Sequence, residues 1–426
     1  MKKLIFLIAA VLIATAQLYS QWVQQASPTT SHLNSIVSVS ATTLYASGEN
    51  EVVLKTTNGG VNWIKLRENP AGKNYYGLWF VNESTGFAVG GLDLPIKIGV
   101  ISKTTNGGAN WVDVVYNNIC FRTAHFINAN TGFLGGWTPG VTASPIYITT
   151  NAGVNWYYVA PFNSYGIEDI YFLNANTGWA TGDMTTGEAV FKTTNGGYNW
   201  AMASNQGYGI WLSSVMFVNA NTGWITGAQG TPHTGLLRKT TDGGATFTVQ
   251  THHNTNELYK PYFINENTGW VAGDQPRIQK TTNGGINWNV QTTPDAWWMW
   301  GIKFINENTG WAVGSQGKIF YTVNGGGPVS VQNISSEVPS AYSLKQNYPN
   351  PFNPTTNIRY SIPKNGFVNI VVYDGLGREV ETLVNESQQA GTYQVTFEGG
   401  SVSSGVYYYH LTSGDFRAVK KMVILK

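Results

Sequence analysis

The stretch KTTNGGVNW, Lys55 to Trp63, decides the fold, because it returns down most of the chain. It recurs as KTTNGGANW (Lys103 to Trp111), ITTNAGVNW (Ile148 to Trp156), KTTNGGYNW (Lys192 to Trp200), KTTDGGATF (Lys239 to Phe247) and KTTNGGINW (Lys280 to Trp288), with a worn seventh copy, YTVNGGG, at Tyr321 to Gly327. Two threonines favour an extended approach, Asn-Gly-Gly tolerates the positive φ angles of a tight turn, and an aromatic residue follows on the returning strand. The box therefore reads as a β-hairpin with its turn written out.

A second phrase precedes each box. It runs FVNESTGFAVG from Phe80, FINANTGFLGG from Phe126, FLNANTGWATG from Phe172, FVNANTGWITG from Phe217, FINENTGWVAG from Phe263 and FINENTGWAVG from Phe304, with a weak first copy, SVSATTLYASG, from Ser38. Each phrase is a strand, an Asn-x-x-Thr-Gly turn and a second strand; the box adds a third and a fourth. The box asparagines, Asp242 in the fifth copy, fall at 58, 106, 151, 195, 242, 283 and 324, so the spacings are 48, 45, 44, 47, 41 and 41. Four short strands in every 40 to 50 residues mark a β-propeller blade. Seven units predict an all-β chain with a seven-bladed β-propeller over residues 21–327. The seventh box stops before its closing strand, but QWVQQASP (Gln21 to Pro28) is similar to the outer strand NWNVQTTP (Asn287 to Pro294). Trp22 is thus expected to head the missing strand and close the ring.

The boxes resemble the Asp-box, or BNR, repeat of sialidases, sortilin-type receptors and certain glycoside hydrolases. Together the two phrases are similar to the propellers of the photosystem II assembly and stability factor family. This resemblance implies a fold; a propeller hosts many activities, so it does not carry a function with it.

The chain has 426 residues, 42% hydrophobic and 13% aromatic, with 11% charged and a net charge of +2. There is no dense basic stripe, which argues against nucleic acid as a partner. Met1-Lys2-Lys3, an apolar run from Leu4 to about Ala14 and the small residues after it have the layout of a secretory signal peptide over 1–20, too short to span a membrane. No transmembrane segment is expected in the mature protein. Cys120 is the only cysteine, so no internal disulfide can form.

From Pro328 to about Ala341 the aromatic rhythm gives way to a Ser/Val/Pro-rich linker. Alternating strands and glycine turns over 342–426 then predict a small β-sandwich of immunoglobulin-like type. This segment resembles the type A sorting domain of type IX secretion, through Tyr348-Pro349-Asn350-Pro351-Phe352-Asn353-Pro354, Val372-Tyr373-Asp374 with Gly377-Arg378, Gly405-Val406-Tyr407 and Lys420-Lys421-Met422. The resemblance implies the type IX machinery as a partner, and export to the cell surface or the medium.

In a propeller the near-identical turns share one face and the variable connections share the other, so the functional face is expected where the repeats disagree. Four residues before each repeated Phe stand Tyr76, Arg122, Glu168, Ser213, Tyr259 and Trp300, with Asn34 in the first copy. Three before stand Gly77, Thr123, Asp169, Ser214, Lys260 and Gly301, with Ser35. These should ring the channel mouth, with Tyr75, Tyr165, Tyr208, Trp211, His252, His253, Asp295, Trp297 and Trp298 on nearby loops. The candidate ligand-binding residues are Tyr76, Arg122, Glu168, Asp169, Tyr259, Lys260, Asp295, Trp297, Trp298 and Trp300. Aromatic faces mixed with a few charges suit a glycan, a peptide or a protein surface. A glycosidase would need facing carboxylates or an arginine cluster. Glu168 and Asp169 are adjacent on one strand and are expected to point to opposite faces. No catalytic residue, metal site or cofactor is expected, and the reading is a non-enzymatic binding module. The alternatives are an extracellular hydrolase of Asp-box type and an assembly factor.

Overall fold

The computed structural model describes residues 22–92, 97–138, 146–159, 164, 166–184, 186–253, 256–274, 278–291, 293–295, 297–326, 332–335, 337–399 and 402–425. The predicted signal peptide, Tyr165 and part of the linker lie outside them. The described residues are all-β apart from one short 3-10 turn at Ser315–Gly317.

Each repeat folds into a four-stranded antiparallel sheet in chain order, as in Leu33–Ser38, Leu44–Gly48, Val53–Thr56 and Ile64–Arg67. The third and fourth sheets are joined by one bridge, Trp137 to Gly166. The last repeat supplies Met299–Phe304, Gly310–Gly314 and Ile319–Thr322, and the fourth place in its sheet is taken by Val23–Gln25, with Val23 opposite Tyr321 and Gln25 opposite Ile319. First strands pack side by side from repeat to repeat, and that of the last repeat packs against that of the first.

The repeated Phe explains most of the phrase. An aromatic residue on the second strand of one repeat stacks on the Phe of the next: Tyr45 on Phe80 at 3.6 Å, Trp179 on Phe217 at 3.6 Å, Trp224 on Phe263 at 3.5 Å and Trp270 on Phe304 at 3.6 Å. The box Trp meets the same ring edge-on, as Trp288 does Phe263 at 5.8 Å. Trp22 meets Phe304 in the same way at 5.7 Å. The edge-on contacts are a geometry that aromatic quadrupoles favour, whereas the stacked pairs lie nearly face to face and contribute mainly buried apolar area.

The box lysine ties neighbouring repeats. Lys55 donates to Gly107 O at 3.3 Å, Lys192 to Gly243 O at 3.1 Å and Lys239 to Gly284 O at 2.9 Å, each ammonium lying over the aromatic ring of its own second strand. Where the last repeat meets the first, Trp311 Nε1 donates to Gly59 O at 3.2 Å.

Two details differ from the sequence reading. The box is a hairpin, but residues 57–63 form a side-chain-braced loop instead of a two-residue turn. Thr56 Oγ1 accepts the Gly60 amide at 2.9 Å and Asn58 Oδ1 accepts that of Asn62 at 3.0 Å, while Gly59 and Gly60 take φ of 68° and 88°. The first strands, moreover, do not alternate cleanly. Pairing slips by one residue between Leu33 and Ser35, Tyr75 and Gly77, Phe121 and Thr123, Ile167 and Asp169, Leu212 and Ser214, Leu258 and Lys260, and Met299 and Gly301. Each repeat therefore carries a β-bulge.

The C-terminal part forms two four-stranded sheets. One holds Gln332–Ser335, Gly391–Glu398, Thr355–Ile362 and Ser343–Leu344; the other holds Glu379–Gln388, Gly366–Asp374, Gly405–Ser413 and Phe416–Ile424. Ile358, Tyr360, Val372, Val395, Tyr409 and Met422 are buried in its core.

Candidate functional site

The bulges build the site. The slipped residue in each repeat is the one four positions before the Phe, so Asn34, Tyr76, Arg122, Glu168, Ser213, Tyr259 and Trp300 form an upper tier around a cavity of about 680 Å³. The extra residue lets the next position face the same way, which corrects the expectation that Glu168 and Asp169 point apart: both line the cavity. The second tier is mostly small, with Ser35, Gly77, Thr123 and Gly301, and here Asp169 and Lys260 meet. One residue before each Phe comes a third tier, Val37, Trp79, His125, Tyr171, Met216, Tyr262 and Lys303. This tier was not anticipated, although its spacing from the Phe is as regular as that of the tiers above. The bulge also has a sequence signal. A side chain on Gly90, which closes the phrase, would lie 1.8 Å from Asn74 O, and Gly227 stands in the same relation to Trp211 O.

Asp169 is the hub. It is buried and accepts from Thr123 Oγ1 at 3.1 Å, Ser214 Oγ, Lys260 Nζ at 2.7 Å, and the Ile170 and Val215 amides at 3.1 and 3.3 Å. Glu168 instead accepts from Trp137 Nε1, whose ring lies 6.2 Å from Trp211. The Arg122 guanidinium stacks over Tyr76 at 4.3 Å. Tyr259 donates to Asp274 at 2.9 Å, and burial together with Asp274 and Glu257 pushes its hydroxyl above the usual phenol range.

The mouth is aromatic. Trp298 and Trp300 lie 6.2 Å apart, His32 sits 5.1 Å from Trp300, and Trp211 and Trp298 are each 47% exposed. His32, Glu49 and Glu257, not singled out from the sequence, also line the cavity. Below, His125 is buried between Trp79 and Tyr171, accepts the Phe172 amide at Nε2, and is pushed down to about 4 by burial, so it is neutral at pH 7.

Not every expected residue belongs to the cavity. Asp295 lies outside its lining and pairs with Lys318 at 2.8 Å; Trp297 also lies outside it, half-exposed. Tyr75 is buried and hydrogen-bonds Ser102 at 2.7 Å. His252 lies against Gly235 O at 3.1 Å. Among the described residues no group of three His, Cys, Asp or Glu side chains is placed to hold a metal ion, and no helix is long and apolar enough to cross a membrane.

One further carboxyl went unnoticed in the sequence. Glu188, on the third strand of the fourth repeat, is buried, and burial, then Asp183 and Glu168, push it up to about 8.

Residues 346–425 match the family model described as the secretion system C-terminal sorting domain. No curated protein sequence is significantly similar to the chain. Among solved structures, YCF48 bound to D1 peptide is 17% identical, over 72% of this chain and 96% of that one, with a TM-score of 0.56. YCF48 from Cyanidioschyzon merolae is 17% identical over 71% and 98%, with a TM-score of 0.53. A family GH74 xyloglucanase from Xanthomonas campestris is 12% identical over 80% and 59%, with a TM-score of 0.55. At these identities the likeness is one of fold, and it is a propeller likeness. Residues 346–425 are a type IX sorting domain, and the chain is an exported protein, secreted or held at the cell surface, whose larger part has a propeller-like fold.

Proposed function

We propose that this chain is a seven-bladed propeller, closed on its N-terminal strand, that works outside the cell as a binding module. The type IX machinery delivers it through 346–425, and the mouth of the central cavity takes a glycan, peptide or protein. The observation that carries this reading is the mouth itself, where exposed indoles gather on the face at which the repeats differ, above a cavity of drug-sized volume. That YCF48 has been solved with a peptide bound supports binding as a use of this fold. The test is the double variant Trp298→Ala/Trp300→Ala on glycan and peptide arrays. It should keep the wild-type melting temperature and lose the wild-type ligand; wild-type binding by the variant removes the mouth as the site.

The second reading is a glycoside hydrolase, and Glu188 favours it. A carboxyl held protonated at neutral pH beside other carboxylates is the acid that such chemistry uses. Glu188 does not line the cavity, however, which places it behind the binding reading. Release of reducing ends from a polysaccharide panel, abolished in Glu188→Gln, would reverse that order.

A further inference from the structure

We propose that two copies of this chain pair edge to edge through Val112–Asn117, the outer strand of the second repeat, about a two-fold axis at Val115.

The outer strand of each sheet is an open edge, and proteins keep such edges short, charged or bulged to stop them pairing. The other outer strands obey that rule. Val23–Gln25 and Tyr157–Val159 have three residues each, and Thr248–Val249 and Asn289–Val290 have two. Ile64–Arg67 carries Lys65 and Arg67 and pairs with a slip. Ala201–Gly207 is longer, but its pairing slips twice. Val112–Asn117 breaks the rule: its six residues, VDVVYN, pair with the third strand of their repeat without a slip. Val112, Val114 and Val115 are 69, 51 and 55% exposed. The single charge, Asp113, is already held by the Arg67 guanidinium at 2.8 and 2.7 Å.

The ladder decides which residues can bond outward. The Asn118 amide donates to Lys97 O at 2.9 Å, and the same register runs on to Val112 opposite Lys103. Bonded pairs alternate along an antiparallel ladder, so Val112, Val114 and Tyr116 bond inward, while Asp113, Val115 and Asn117 turn their amides and carbonyls away from the sheet. Among the described residues no further strand joins this edge.

A second copy of the same strand fits it. With Val115 opposite its own counterpart, Asp113 stands opposite Asn117, so all three outward residues of each copy are bonded at once. Shifting the axis to Val114 leaves Asn117 without a partner. Each Asp113 meets an amide side chain and not a second carboxylate. On the other face Val114 stands opposite Tyr116, a pairing of β-branched and aromatic side chains that stabilises sheets. Tyr116 lies 5.9 Å from Tyr147, and Tyr147 lies 6.2 Å from the exposed Tyr158, so the apolar belt continues onto the third repeat. A two-fold contact uses up the edge it joins, and assembly stops at two copies.

Six residues a side fall short of the about 20–30 of a standard interface, so a micromolar dimer is expected. Sedimentation velocity of the full exported chain from about 1 to 500 μM should show a monomer–dimer equilibrium with a dissociation constant of tens of micromolar. Val115→Lys sets like charges opposite each other and should weaken the dimer at least about ten-fold, with the melting temperature unchanged because the position is exposed. Val115→Cys should form a covalent dimer on mild oxidation, since its two Cα atoms would stand about 5.5 Å apart. Val112→Cys, whose two copies would stand about 20 Å apart, should not. Cys120 is buried and common to both variants. A wild type that stays monomeric throughout, equal cross-linking of the two cysteine variants, or growth beyond dimers overturns the proposal. So does a folded Val115→Lys variant that dimerises as the wild type does.

Discussion

Lys260 reaches Asp169 at 2.7 Å across the channel, joining the sixth repeat to the fourth, while Ser214 of the fifth bonds the same carboxylate. The two partners are not equivalent. Asp169 is buried and collects side chains from three other repeats; Lys260 is half-exposed and can rehydrate. Asp169→Ala leaves two hydroxyls, two amides and an ammonium without an acceptor and should cost about 3 kcal/mol. Lys260→Met leaves Asp169 with four of its donors but without its counter-charge, and should cost about 1–2 kcal/mol. Urea denaturation of both variants measures the difference, and equal losses would mean that Asp169 is not the hub.

Trp22 is fully buried against Phe304 and stands where Trp288 stands one repeat earlier. Trp22→Ala should therefore cost about as much as Trp288→Ala, on the order of 3–5 kcal/mol. Limited proteolysis should then cut first around Ile319–Thr322, whose sheet edge loses its partner strand. A loss below about 1 kcal/mol would show that the N-terminal strand is not needed.

These contacts show which features were legible in the sequence and which were not. The repeats announce themselves because each box must brace the same loop, and each Phe must meet the same two aromatic neighbours. The sorting domain is legible through its resemblance to a known family, carried by residues such as Tyr348 to Pro354; its alternating strands and glycine turns alone give only a terminal β-sandwich. The tiers were only half legible. Counting back from the Phe reached Arg122, Glu168 and Lys260, but strand alternation put Glu168 and Asp169 on opposite faces, because a bulge is invisible to a period of two. Asp295 stands next to the tryptophans in the sequence, and nothing in the sequence signals that Lys318 holds it.

The box lysines should be structural. Lys239 donates to Gly284 O and lies 5.1 Å from the centre of the Trp224 ring, so one ammonium makes both a charged hydrogen bond and a cation–π contact between repeats. Lys239→Met keeps the aliphatic stem and should cost about 1–3 kcal/mol. Val61→Ser, in the same kind of box but at a position 74% exposed, should change stability by less than about 0.5 kcal/mol. Denaturation midpoints that do not separate the two variants would remove the lysine from its bridging role.

Glu188 sets a pH dependence whose sign can be worked out. Its carboxyl is pushed up to about 8 in the folded chain, against an ordinary value of 4.5, so the folded state holds the proton more tightly than the unfolded state. The resulting stabilisation is fully present below 4.5 and is lost as the pH rises from there to about 8, where the buried group must ionise. Glu188→Gln is neutral throughout and removes this loss. The variant should melt close to the wild type at pH 4.5 and several degrees above it at pH 8.5, corresponding to a few kcal/mol. Melting curves that stay parallel across this range would mean that Glu188 is solvated or paired in solution, and the hydrolase reading would lose its acid as well.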